Sequence, residues 1–303
     1  MFKYLTNHKN ENLVLIYHSS FQSKNKNRDA FIHNVTPKNI LEQINFLSYF
    51  YDIVSIDNIF ESKSNNQMAI TFDDGYANLF DAILPELHVK KIPSTVFLIG
   101  SSFFGNIFWR EKTTYLLQHK TLFDRFKSQY FTKFKSQINY ETFYRDSKSF
   151  KFNSKKLDFY LNDFFSNENI KLDSNLLSDP KKLINSEYVN YGNHTFNHYV
   201  LSTLSYEEQY EEIKKTKDFM NSLDLNLSNV FAFPFGGYTD FNDNTLSILS
   251  DLNIDNVLLN NNIINDHALN KLNHFNVNYL DRFTTSNNKY LFIIRILKNL
   301  LNI

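Results

Sequence analysis

Apolar runs of strand length alternate with amphipathic stretches of helix length at both ends of the chain. Residues 13–17 (LVLIY) are a continuous apolar run. From Pro37, Ile40, Leu41, Ile44, Phe46 and Leu47 form one helical stripe. Ile53 and Val54 predict another strand, and residues 68–72 (MAITF) predict a buried one ending at Asp73-Asp74-Gly75. A helix over 78–89 follows, and Pro93 opens a strand over 95–99. In the last third the spacing predicts strands over 187–191, 230–233 and 256–259, with helices over 206–223 and 244–252. Repeated strand-then-helix order is the pattern of a parallel sheet or barrel.

Between these halves, over about 104–185, the pattern changes to several helices rich in Phe, Tyr, Lys and Ser and nearly without Gly. This reads as an insertion in one 303-residue domain. Its aromatic side chains either line a substrate groove or form the small core of a helical flap. The segment 288–303 is strongly apolar, with Arg295, Lys298, Asn299 and Asn302 confined to one narrow stripe. Such a helix either docks on the barrel or lies in a membrane interface.

Composition narrows the function classes. Lys+Arg and Asp+Glu both total 32, so no basic excess points to nucleic acid. With no cysteine, a metal site must be built from His, Asp or Glu. No stretch reaches the roughly 18 apolar residues of a membrane span. Residues 1–9 lack the apolar run of a signal peptide, so the expected location is cytoplasmic, with the inner membrane surface open to a peripheral contact.

Three segments at predicted strand ends carry chemistry, and in parallel α/β folds ligands bind at those ends. In TFDDGY (71–76), two adjacent carboxylates follow a buried strand; a cation beside one would relieve their repulsion. A plain Asp-Asp-Gly turn is the competing reading. In HTFNH (194–198), histidines at i and i+4 would share one side of a helical turn and reach a single ion. Asp74 with His194 and His198 would leave a coordination position open for water. In FAFPFGGY (231–238), a proline and two glycines after a strand expose backbone N–H groups suited to an oxyanion.

In this order the three segments resemble the motifs of the polysaccharide deacetylases, carbohydrate esterase family 4 or the NodB-homology family. The resemblance implies an α/β fold, a distorted (β/α)7-type barrel, holding one divalent metal ion, often Zn, with Co, Ni, Fe or Mn as alternatives. It implies Asp74, His194 and His198 as metal ligands and Asp73 as the general base. It places Phe235, Gly236 and Tyr238 at the substrate and oxyanion side, with the Phe235 N–H as the donor. The family's third motif often begins with an arginine that orients the base; here that position is Ala232, and Arg282 is the candidate replacement. For the general acid, His267 and His274 are late candidates. His18 is preferred, because Tyr17-His18 resembles an early Tyr-His of the biofilm deacetylase branch and ends the first strand.

The expected function is N-deacetylation of an amino sugar in a polysaccharide, glycolipid or sugar intermediate, on a carbohydrate partner and without nucleic acid. Deformylation of a lipid-linked formamido sugar and carbohydrate binding without catalysis are the alternatives. The C-terminal helix is compatible with a lipid-linked substrate.

Overall fold

The structure, a computed structural model, describes residues 11–23, 30–62, 64–134, 138–266, 269–272 and 275–300. The first nine residues, His267, His274 and Asn302 lie outside these ranges.

The strands are β1 (Glu11–Tyr17), β2 (Asp52–Ile53), β3 (Gln67–Phe72), β4 (Ser94–Leu98), β5 (Val189–Asn193), β6 (Leu227–Ala232), β7 (Asn256–Leu259), β8 (Asn265–Asp266), β9 (Asn270–Lys271), β10 (Asn278–Asp281) and β11 (Phe283–Thr284). Every residue of β3, β4 and β5 is buried, as expected of parallel strands covered on both faces. The main run is β11-β1-β3-β4-β5-β6-β7-β10, parallel throughout. β10 pairs with β7 while β11, one residue further on, pairs with β1. One stretch of chain therefore joins both edges, and the sheet curls into the distorted (β/α) barrel that the family resemblance implied.

Around the sheet lie α1 (Pro37–Leu47), α2 (Ile56–Glu61) and α3 (Leu84–Val89). Between β4 and β5 come α4 (Trp109–Gln118), α5 (Lys120–Tyr130), α6 (Tyr140–Asp146) and α7 (Ser154–Asn167). Then follow α8 (Tyr206–Asn221), α9 (Asp243–Asp251) and α10 (Lys289–Leu300). A reciprocal cap starts α8: Ser205 Oγ accepts the Glu208 N–H, and the Glu208 carboxylate accepts the Ser205 N–H.

Two elements differ from the sequence pattern for identifiable reasons. The helix expected over 78–89 opens as a wide π turn, Leu79–Ile83, and only Leu84–Val89 is α-helical. Pro85 has no N–H to donate back along that turn. The strand expected over 187–191 is displaced to Val189–Asn193, so Gly192 lies inside it. A Cβ on Gly192 would meet Phe97 ring carbons at 2.4 and 2.5 Å and the Val230 carbonyl oxygen at 3.2 Å. The glycine is therefore needed for close packing in the sheet rather than for a turn. Gly192→Ala is expected to destabilise the fold by roughly 1–3 kcal/mol through overpacking. An unchanged denaturant midpoint would contradict that reading.

The helical segment between β4 and β5 packs partly into the continuous core and partly around a cavity. Phe123, Phe126, Phe143, Phe152 and Phe164 pack against one another within a core continuous with that of the barrel, whereas Phe108, Tyr115 and Tyr144 line a cavity. Helix α10 docks on the barrel through buried Phe292 and Ile296. Arg295 Nη2 and Asn299 Nδ2 turn inward and donate to Asn262 at 2.9 and 2.7 Å. Tyr290, Leu291 and Ile294 are left exposed. No described helix is long and apolar enough to cross a membrane.

Candidate metal centre and active-site cavity

Because β1, β3, β5, β6 and β10 run parallel within one curled sheet, their carboxyl ends meet at one mouth of the barrel. His18 follows β1, Asp73 and Asp74 follow β3, His194 follows β5, Phe235 follows β6, and Arg282 follows β10. His18, Asp73, Asp74, His194, His198 and Phe235 line one cavity of about 1010 Å³, roofed by the helices between β4 and β5.

The histidine pair reaches this place by a route other than the expected helical turn. Residues 194–198 form a loop in which Thr195 and His198 have positive φ, 65° and 59°. Side chains hold the loop in that shape. Asn193 Oδ1 accepts the Thr195 N–H, Thr195 Oγ1 accepts the His198 N–H, and the buried Glu212 carboxylate accepts both N–H groups of Asn197, at 2.7 Å from the backbone and 2.6 Å from the side chain. Trp109 Nε1 donates to the His198 carbonyl. Asp74 and Phe235 also have positive φ, 69° and 65°. Such backbone is unfavourable for side-chain-bearing residues and clusters where geometry serves function.

His194 Nδ1 lies 2.8 Å from the Ala232 carbonyl. A carbonyl only accepts, so Nδ1 carries the proton and the Nε2 lone pair faces the carboxylates. His194 Nε2 and His198 Nε2 both lie 3.5 Å from Asp74 Oδ1, which is buried and receives no hydrogen bond. The candidate donor atoms of Asp74, His194 and His198 lie within 4.8 Å of one another.

Burial, and then the adjacent Asp73 carboxylate, push Asp74 well above the usual carboxylate range. Burial, and then His194, push His198 well below the usual imidazole range; His194 is lowered by burial too. A buried carboxylate without a donor, facing two neutral imidazoles, is a donor set completed by a divalent cation. The residues fit one.

Asp73 is treated differently by its surroundings. Arg282 Nη1 donates to Asp73 Oδ1 at 2.6 Å, with both side chains almost fully buried. Burial opposes ionisation, but the Arg282 guanidinium, through its charge and its hydrogen bond, outweighs it and holds this carboxyl below its usual range. Two neighbouring carboxylates are thus pushed in opposite directions.

His18 touches a residue that sequence reading missed. His33 Nε2 lies 3.0 Å from the Thr285 carbonyl, so it carries a proton and leaves Nδ1 as an acceptor. His18 Nδ1, 3.2 Å away, then donates to it, and the His18 Nε2 lone pair remains. Burial chiefly lowers His18, to about 3, so the ring rests neutral.

Phe235 packs edge-on against the His198 ring at 4.7 Å, and its N–H donates to no protein group among the described residues. The Gly236 N–H is taken by the Pro234 carbonyl at 2.8 Å. A Cβ on Gly236 would meet Asn260 N at 3.0 Å, so the glycine lets two loops pack. Tyr238 is 56% exposed and absent from the cavity lining; its hydroxyl lies 3.5 Å from that of Tyr279. Glu212, His33 and Trp109 carried no signal in the sequence, because their partners are distant along the chain.

The fold is similar to that of Streptococcus pyogenes deacetylase PplD in complex with acetate, with TM-score 0.55 and 17% identity, covering 96% of this chain and 98% of that one. It is similar to a de-N-acetylase from Aggregatibacter actinomycetemcomitans, with TM-score 0.53 and 13% identity, covering 92% and 97%. IcaB from Ammonifex degensii gives TM-score 0.51 and 14% identity, covering 94% and 95%. A sequence comparison with curated proteins finds no match. The polysaccharide deacetylase family profile matches residues 61–117 and 158–257, a little over half of the chain, spanning Asp73, Asp74 and both histidines. The chain therefore belongs to the polysaccharide deacetylase family, hydrolases that act on amide C–N bonds.

Proposed function

We propose that the protein hydrolyses the N-acetyl group of an amino sugar with the help of one divalent cation held by Asp74, His194 and His198. The observation that carries this reading is the buried Asp74 oxygen without a donor, set equally far from the Nε2 atoms of His194 and His198. Zn suits a site of two histidines and one carboxylate; Co, Ni, Fe and Mn share that donor preference in part. When bound, such an ion polarises a carbonyl and acidifies water.

The protein side chains supply the remaining work. Asp73 Oδ1 is committed to Arg282, so Oδ2 takes the proton as water adds to the carbonyl carbon. The Phe235 N–H donates to the substrate oxygen as it becomes negative. The C–N bond then breaks, and His18 Nε2 hands a proton to the departing amine. Because that ring rests neutral, the proton it delivers balances the one that Asp73 removes from water, and no net proton is gained or lost over the cycle.

Arg282→Ala tests the support given to Asp73. Activity is expected to fall roughly 10–100-fold, the usual range for loss of a residue that orients an active-site group. The acid limb of the pH–rate profile should move to higher pH, because the carboxyl loses the cation that holds it down. Normal rates with an unmoved limb would remove Arg282 from the mechanism.

The reading as a whole is tested by assaying acetate and formate release from N-acetyl and N-formyl amino sugars with the zinc-loaded protein. Acetate appearing with one free amine per turn is the expected result. Formate alone would shift the substrate to a formamido sugar. Bound zinc with neither product would favour a carbohydrate-binding role.

A further inference from the structure

Opposite the carboxylates, the helical segment presents two cations that the chemistry above does not use. Arg110, at the start of α4, is 7% exposed, yet no carboxylate lies within 4 Å of it among the described residues. Its Nη1 donates to Ser147 Oγ at 2.7 Å and its Nη2 to the Tyr144 carbonyl at 3.1 Å, both neutral acceptors. Lys148, just after α6, also has no carboxylate within that distance among the described residues. Both cations gather around one aromatic ring: Arg110 Cζ lies 4.2 Å and Lys148 Nζ 4.9 Å from the Tyr144 centroid. The Tyr144 hydroxyl donates to the Phe31 carbonyl, which fixes the ring in place. All three residues line the same cavity as Asp73 and Asp74.

Gathering two like charges at a partly buried place is costly. Cation–π contacts return about 0.5–2 kcal/mol each, less than the several kcal/mol lost when an ion leaves water. The strain shows in Lys148, lowered by burial and by Arg110. None of the carboxylates lining the cavity, Asp73, Asp74, Glu111, Asp173 and Asp240, lies within 4 Å of either cation. Asp74 acts on Arg110 only at longer range and is the ligand assigned to the cation. Asp240 acts on Lys148 at longer range too, and its carboxylate accepts the Gly237 N–H. What the pair lacks is an anion arriving from the cavity. A planar guanidinium fork and an ammonium around a single point suit a phosphoryl group with several oxygens.

We infer that Arg110 and Lys148 bind a phosphoryl group on the substrate, so that the enzyme acts on a phosphorylated amino sugar rather than a neutral glycan. This rests on the amino-sugar reading of the adjacent site and names its substrate class. Nucleotide-linked, lipid-linked and simple sugar phosphates share the chemistry.

The test compares acetate release by the zinc-loaded protein from N-acetylglucosamine, its 1-phosphate, its uridine diphosphate conjugate and a short polyprenyl diphosphate conjugate. At least one phosphorylated form should exceed the neutral sugar by tenfold or more in kcat/KM, mainly through KM. Which one leads identifies the source of the phosphate. Lys148→Gln and Arg110→Gln should each remove most of that preference, and Lys148→Arg should keep it. Equal rates on all four, or a preference that survives both glutamine substitutions, would overturn the proposal while leaving the deacetylase reading intact. Should none of the four release acetate, calorimetry with inorganic phosphate decides separately. Phosphate binding to the zinc-loaded protein that Lys148→Gln abolishes supports the subsite; binding that the substitution leaves unchanged refutes it.

Discussion

Asp73→Asn is expected to lower the turnover number for acetate release about 10²–10⁴-fold, the usual contribution of a general base, while zinc content stays near one per chain. The amide keeps the shape of the carboxyl and can still accept from Arg282 Nη1, but it no longer takes a proton near neutral pH. Arg282, 1% exposed, then becomes a buried cation without its partner. Breaking such a pair costs about 3–5 kcal/mol, so the melting temperature should fall as well. Rates must therefore be normalised to folded protein. A folded, zinc-loaded Asp73→Asn variant with wild-type turnover would remove Asp73 from the chemistry.

His198→Ala should act through the cation itself. Removing one of three donors from a site whose open side faces a cavity is expected to leave the protein almost free of zinc after dialysis. Acetate release should drop to background. Thermal stability gives a second readout that does not depend on activity: a ligand present at 1,000 times its dissociation constant adds about 4 kcal/mol to the folded state. Added zinc should therefore raise the melting temperature of the wild type clearly and that of His198→Ala little. An equal upward shift in both proteins would place the zinc elsewhere.

Much of the barrel was legible because parallel strands buried on both faces leave continuous apolar runs, such as residues 68–72, bounded by polar turns. The short strands β8, β9 and β11 left no such run. The apolar pattern ends the strand at 191 and leaves Gly192 outside it, because the close approach of Phe97 that requires a glycine inside the strand is a tertiary fact. The histidine pair shows the same limit in the site. Spacing of i and i+4 suggested a helical turn, whereas the loop is shaped by Asn193, Thr195 and a carboxylate fourteen residues beyond His198, Glu212. Arg282 was identified by what the third motif lacks, and its placement against Asp73 needed the curled sheet to bring β10 beside β3's end. His33 was silent: one histidine among nine, it has meaning only once His18 and Thr285 stand on either side.

The central claim is that a single cation between Asp74, His194 and His198 is required for amide cleavage. Titrating zinc into chelator-stripped protein while following acetate release from an N-acetylated amino sugar tests it most directly. The rate should rise linearly from zero and level off at one equivalent per chain. Full acetate release by the stripped protein would contradict the claim.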